Sequence, residues 1–258
     1  MNFGLKLWST NQDMLPQAEQ LIKNDVFQYI ELTPIPGTEI DAFLSYDLPY
    51  TIHITTERHG VNIADRDKRD YNIKTIQNCI EWADQLKARY LVLHPGFGKL
   101  DDAIEFLSYI YDKRILIENM PKIGIYDEKM VGYSPEEIEK LMDNGFGLCL
   151  DLNHAIKAAI SLELDYMEFV NEFGKFKPFY YHVSDGHLNH SKDEHLNIGE
   201  GEYDFRFLVF AMISGSEFNS IRHITLETPR SNLLTFDNDL LNLEKIKSFI
   251  EEHTSNLL

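Results

Sequence analysis

YLVLHPG (90–96), RILIENMP (114–121) and GLCLDLNH (147–154) decide how this chain folds. Each is a short apolar run bounded by turn residues, the pattern of a strand buried on both faces. Each also carries an ionisable side chain at its C-terminal end: His94, Glu118 and Asp151. Five further runs share the form: FGLKLWS (3–9), YIELTP (29–34), YTIHITT (50–56), FYYHVSD (179–185) and HITLET (223–228). Stretches of helical period lie between them. Within 68–88, Ile73, Ile76, Ile80, Ala83 and Leu86 recur at spacings of three and four. SPEEIEKLMDNG (134–145) opens on a Ser cap with Pro at the first helical position and has Gly145 near its end. DNDLLNLEKIKSFIEEH (237–253) has apolar residues at 240, 243, 246, 249 and 250, and a weaker helix is expected around 38–46.

Eight strands alternating with helices over 258 residues have the size and rhythm of an α/β chain folded as a (β/α)8 TIM barrel. The competing arrangement, a doubly wound open sheet, places a Gly-rich turn after an early strand, whereas the first strand here runs into WSTNQDM. No Pro/Gly/Ser-rich linker or composition break divides the chain, so residues 1–258 are expected to form a single barrel domain. Hydrophobic residues make up 43% and charged residues 26%, an ordinary globular balance. With 24 Lys and Arg against 42 Asp and Glu, the net charge is −18, which argues against nucleic-acid or membrane binding driven by bulk charge. Cys79 and Cys149 cannot make a disulfide framework, and MNFGLKLWST has no basic leader followed by an apolar stretch. A cytoplasmic location is the expectation, with no membrane and no protein partner implied.

What ends the strands is the informative pattern. His53, His94, Glu118, Asp151, His182 and Glu227 close six consecutive runs, and His154 follows Asp151 by three residues. In a barrel of this kind, that rim is where chemistry sits. An ionisable group behind apolar residues is costly unless it is paired or bound to metal. One such residue is more often a hydrogen-bonded rim side chain; six together point to a shared site. In the loop SDGHLNHSKDEHLNIGEGEYDF, Asp193 and His195 are two residues apart, so an extended backbone points both the same way. Gly199-Glu200-Gly201 suits a tight turn close to a ligand or metal, while His187 and His190 read as solvated surface. Five imidazoles and four carboxylates, with no thiolate, suit zinc, with manganese, iron or cobalt as alternatives. Nine ligands exceed the needs of one ion and fit two or three with a bridging carboxylate.

These residues resemble the xylose isomerase-like TIM barrels and, within them, the endonuclease IV branch. LHPG (93–96), IEN (117–119), LDLNHA (150–155), HVSD (182–185), DEHLNIGEG (193–201) and LET (226–228) carry the resemblance, in the family's order. It implies one ion on His53, His94 and Glu118, and a second on Glu118, Asp151, His182 and Glu227. A third would sit on His154, Asp193 and His195. The isomerase and epimerase branches are similar at Glu118, Asp151, His182 and Glu227, which there hold one metal. Epimerases of this kind usually carry an Arg shortly after the seventh-strand His, where this chain has Gly186-His187-Leu188.

The expected function is divalent-metal-dependent phosphoester cleavage at a two- or three-zinc site. Glu118 would act as bridge and Glu227 would orient or deprotonate the attacking water. Three divalent ions against four carboxylates leave about two local positive charges inside an acidic chain, enough to hold a phosphate-bearing substrate. Abasic DNA is one such substrate and a smaller phosphate ester another. The loops after the first two strands contain no Lys or Arg. In the third, Glu57, Asp65, Asp67 and Asp70 offset Arg58, Arg66, Lys68 and Arg69. The runner-up is a sugar or sugar-phosphate isomerase or epimerase on one manganese or cobalt, with Glu118 and Glu227 trading a proton. A catalytically silent metal-binding barrel comes third.

Overall fold

Successive side chains of a strand point to opposite faces, and in this chain the two faces have different chemistry. The strands are β1 (Asn2–Trp8), β2 (Tyr29–Thr33), β3 (Tyr50–His53), β4 (Leu91–Leu93), β5 (Ile115–Glu118), β6 (Gly147–Asp151), β7 (Tyr180–Val183) and β8 (His223–Leu226). One set of alternate positions, among them Leu5, Leu7, Ile30, Ile52, Ile117 and Leu150, joins the large core shared with the helices. The other set supplies a separate cluster of Tyr29, Val92, Leu116, Cys149 and Tyr180. Both faces are covered, which is why the runs read as continuously apolar. In this computed structural model, which describes residues 1–143, 145–215 and 221–255, every strand pairs parallel with the next and β8 pairs with β1. The sheet is a closed (β/α)8 barrel, and the open-sheet alternative is excluded.

The helices are α1 (Leu15–Lys23), α2 (Asp41–Leu44), α3 (Arg69–Gln85), α4 (Leu100–Leu107), α5 (Pro135–Met142), α6 (Leu152–Leu162), α7 (Tyr166–Glu172), α8 (Phe205–Ser214) and α9 (Asp237–Ser255). The periodicity at 68–88 becomes α3, with Ile76 and Ala83 buried and Ile73 and Ile80 packed against the core. The stretch at 134–145 becomes α5, where Ser134 Oγ accepts from the Glu137 amide and Pro135 opens the first turn. Asn144 lies outside the described residues, and Gly145 turns the chain at φ +87°. The stretch around 38–46 shrinks to the four residues of α2. No loop separates β6 from α6. Asp151 ends the strand and caps the helix by accepting from the His154 amide at 2.7 Å.

Aromatic residues close the end of the barrel opposite those strand termini. The rings of Tyr29, Tyr90, Phe179 and Tyr180 lie 5.3–6.5 Å from that of His223. His223 is 4% exposed, and among the described residues its Nδ1 has no hydrogen-bond partner. Burial, with Arg89 and the N-terminal ammonium adding repulsion, lowers its pKa from 6.5 to about 4. The folded state therefore resists a proton that the unfolded chain accepts. The associated stability is present above pH 6.5 and is lost as pH falls toward 4. Denaturant unfolding at pH 7 and pH 4.5 should show an acid-induced loss about 2–3 kcal/mol smaller in His223→Phe than in the native chain. Equal losses would clear His223 of this role.

Candidate metal centre

Two residues further along each strand, the barrel interior changes from apolar to ionisable. Gly4, Tyr29, Thr51, Val92, Leu116, Cys149, Tyr180 and Thr225 give way to Lys6, Glu31, His53, His94, Glu118, Asp151, His182 and Glu227. Six strands thus carry one such side chain to the mouth themselves, and His94 and Glu227 directly follow β4 and β8. Six of the eight residues are buried, and the side chains of His94 and Glu227 are only 15% and 14% exposed.

Glu118 occupies the centre. Its Oε2 lies 3.3 Å from His53 Nε2 and 3.1 Å from His94 Nε2, while its Oε1 lies 3.1 Å from His182 Nδ1. Ligand atoms of His53, His94 and Glu118 fall within 4.8 Å of one another. So do those of Glu118, Asp151, His182 and Glu227, and those of His154, Asp193 and His195. All nine residues singled out in the sequence therefore gather in three mutually close sets. The loop after β7 delivers the last two as expected, with Asp193 Oδ2 at 2.9 Å from His195 Nε2.

Two features fit this constellation to divalent ions. Glu118 Oε2 is buried with no hydrogen bond, although two imidazole nitrogens face it. In addition, each imidazole ties one nitrogen away from the cluster and turns the other inward. The ties run from His53 Nδ1 to Ile54 O (3.0 Å), His154 Nδ1 to Asn119 O (2.9 Å) and His195 Nδ1 to Glu227 O (2.6 Å). His94 Nδ1 meets Glu57 Oε2 at 3.2 Å, and His182 Nε2 meets Glu31 Oε2 at 3.0 Å. Bonding the outer nitrogen to a carbonyl or carboxylate fixes the tautomer and leaves the inner lone pair for a metal.

The electrostatics agree. Burial alone would raise the Glu118 and Glu31 pKa values, but the His182 imidazole, with His94 beside Glu118 and Lys6 beside Glu31, holds both well below the usual carboxylate range. Burial pushes Asp151 up to about 6. Burial would lower His94, yet Glu118 and Glu57 raise it to about 10; His195 rises to about 9 on Asp193. So much buried negative charge attracts cations, and protons and metal ions compete for the same nitrogens.

Several contributors escaped the sequence reading. Lys6 and Glu31 interrupt β1 and β2 in mid-run rather than at the end, and they are register partners in the β1–β2 ladder. Lys6 Nζ donates to Glu31 Oε1 (2.6 Å) and to Glu227 Oε1 (2.5 Å). Glu31 Oε2 also accepts from Tyr180 and Thr225, both at 2.7 Å. A charged residue at an alternate position of an apolar strand was the available signal. Glu57, one of the four acids set against the basic residues of the third loop, turns inward to His94. Arg66 and Arg69 pair with Asp102 and Glu105 on α4.

Gly199 and Gly201 serve Asp185 rather than facing a ligand directly. Asp185 Oδ2 accepts from both amides at 2.8 and 2.9 Å, and its Oδ1 accepts from Gly186 and Tyr203. A Cβ at Gly201 would lie 2.3 Å from that carboxylate, so the close approach requires glycine. The ring opens into a cavity of about 850 Å³ with Arg58 and Lys68 on its wall and Trp8, Phe97, Tyr126 and Leu233 among its apolar lining. Among the described residues, no helix is long and apolar enough to cross a membrane.

A family model described as xylose isomerase-like TIM barrel matches residues 19–252. A probable endonuclease 4 of Mycoplasmopsis synoviae is 31% identical over 209 residues, 72% of this chain and 73% of that one. Among solved structures, a D-tagatose 3-epimerase-like protein superposes with TM-score 0.76 at 21% identity, covering 100% of both chains. Endonuclease IV from Thermus thermophilus superposes with TM-score 0.70 at 20% identity, over 98% of this chain and 100% of its own. At these identities the structural likeness is one of fold.

Asp185 offers a direct test of how the β7 loop is held. In Asp185→Asn, an NH2 replaces an oxygen that accepts two buried amides, leaving donors facing donors. Urea unfolding should show a loss of about 3 kcal/mol, and zinc titration a weakened His154–Asp193–His195 set. Unchanged stability and unchanged zinc binding would show that the clamp is dispensable.

Proposed function

This chain belongs to the xylose isomerase-like TIM barrel family, in its endonuclease IV branch, and from that premise we propose that it is a divalent-metal-dependent phosphoester hydrolase. The observation that carries the reading is the gathering of nine candidate ligands at one end of the barrel, six of them lining its cavity. His53, His94 and Glu118 would hold one ion and Glu118, Asp151, His182 and Glu227 a second, while His154, Asp193 and His195 would hold a third. The all-nitrogen-and-oxygen donor set suits zinc, with manganese or cobalt as substitutes. When bound, such ions polarise phosphoryl oxygens and lower the pKa of water.

The chain's own groups do the rest. Glu118, fully buried and shared by two of the groups, would fix their spacing. Glu227 lines the cavity and has Oε1 committed to Lys6, which leaves Oε2 as the atom to take a proton from attacking water. Glu57 and Glu31 hold His94 and His182 at their outer nitrogens. The substrate is a phosphate ester: DNA at an abasic site, in keeping with relatives named as endonucleases, or a smaller diester. Arg58 and Lys68 give the wall a modest positive edge, so duplex binding should fall by only about tenfold between about 50 and about 200 mM salt.

One observation favours an isomerase as the second reading: Glu118 and Glu227 flank His182 Nδ1 at 3.1 and 3.6 Å, a carboxylate pair able to shuttle a proton beside a carbonyl. Against it, the segment just after the β7 motif is Gly186-His187-Leu188 and supplies no arginine.

Protein purified without chelator should carry about three zinc ions per chain and hydrolyse bis(p-nitrophenyl) phosphate or nick an abasic duplex. Glu118→Gln and His154→Ala should each reduce the rate at least about a hundredfold. Hydrolysis that survives both substitutions would rule the mechanism out. A single manganese or cobalt ion, with solvent deuterium entering ketoses, would favour the isomerase.

A further inference from the structure

Lys6 is the one lysine or arginine among the eight ring residues, and its surroundings assign it a task that its ion pairs do not exhaust. The side chain is 9% exposed and lines the cavity. An ammonium carries three N–H donors in a tetrahedral array. Two are used, on Glu31 Oε1 and Glu227 Oε1, and among the described residues no third acceptor bonds it. The stem is anchored as well: Lys6 O accepts from Arg230 Nη2 at 2.6 Å, and Arg230 is itself locked to Asp239 through Nε and Nη2. Glu31 is equally fixed by Tyr180, Thr225 and His182. A lysine normally loses rotamer freedom when it grips an anion; here that ordering is already complete.

We propose that Lys6 binds an anionic phosphoryl oxygen of the substrate through its third N–H, with Glu31 as the residue that positions it. The charge of Lys6 is balanced by Glu31, so what it adds is a directed, preorganised donor rather than a stronger field. The proposal rests on reading the site as one that accepts phosphate. It extends that reading from the metal ligands to the floor between β1 and β2, where the register pair Lys6–Glu31 sits.

The test uses zinc-loaded full-length chain and inorganic phosphate as probe. Zinc per chain and phosphate affinity are measured for the native protein, Lys6→Met and Lys6→Arg. The expected result is equal zinc in all three, phosphate binding weakened about tenfold or more in Lys6→Met, and partial retention in Lys6→Arg. The Lys6 ammonium resonance of the native protein, identified by its loss in Lys6→Arg, should shift on phosphate addition, a readout that does not depend on Lys6→Met folding. Native-like phosphate binding by Lys6→Met, loss of zinc in that variant, or an ammonium signal indifferent to phosphate would each overturn the assignment while leaving the hydrolase reading intact. If native zinc-loaded protein binds no phosphate at all, the hydrolase reading fails with it.

Discussion

A carboxylate sealed from water at the centre of a ring of imidazoles governs this molecule. Glu118 is 0% exposed, and one of its oxygens has no hydrogen bond. Burying such a group is tolerable only beside compensating positive charge. The rest of the mouth follows from that need. His53, His94 and His182 converge on it from three strands. Each is turned by an outer partner so that the correct nitrogen faces in. The barrel makes this convergence possible because closure brings strands far apart in sequence to one axis. Alternation along each strand then separates the apolar packing outside from the ionisable layer inside.

Much of this was legible in the sequence because burial leaves a readable mark. An ionisable residue that ends an apolar run is conspicuous, and every residue found that way lies in the cluster. What escaped reading was of two kinds. Lys6 and Glu31 stand inside their runs, and FGLKLWS and YIELTP look like strands with an ordinary polar interruption; only the β1–β2 register reveals that they pair. Glu57 sits in a loop dense with both charges, where sequence alone cannot say which carboxylate turns inward. The GEG turn was recognised as a close-packed element, but the group it approaches is Asp185, a protein carboxylate that shapes the loop. Tight turns report proximity without naming the neighbour.

The fold does not by itself choose between hydrolase and isomerase, since a group of carboxylates and an imidazole such as Glu118, Asp151, His182 and Glu227 suits either chemistry. What sets them apart is the third cluster, from α6 and the β7 loop, and the Gly186-His187-Leu188 stretch that supplies no arginine. Asp193, His195 and that stretch all lie within one short segment, 182–203, so its conformation shapes both the third cluster and the room beside β7.

The direct passage from β6 into α6 carries a consequence of its own. Asp151 is at once strand terminus, helix cap and ligand candidate, and His154 reaches the cluster from the first turn of that helix. Other βα junctions of the barrel have connecting residues that can be lengthened or swapped, but this one has none to spare. Anyone grafting new specificity onto the scaffold should leave that corner intact and remodel the junctions after β5 and β8, where Tyr126 and Leu233 already project.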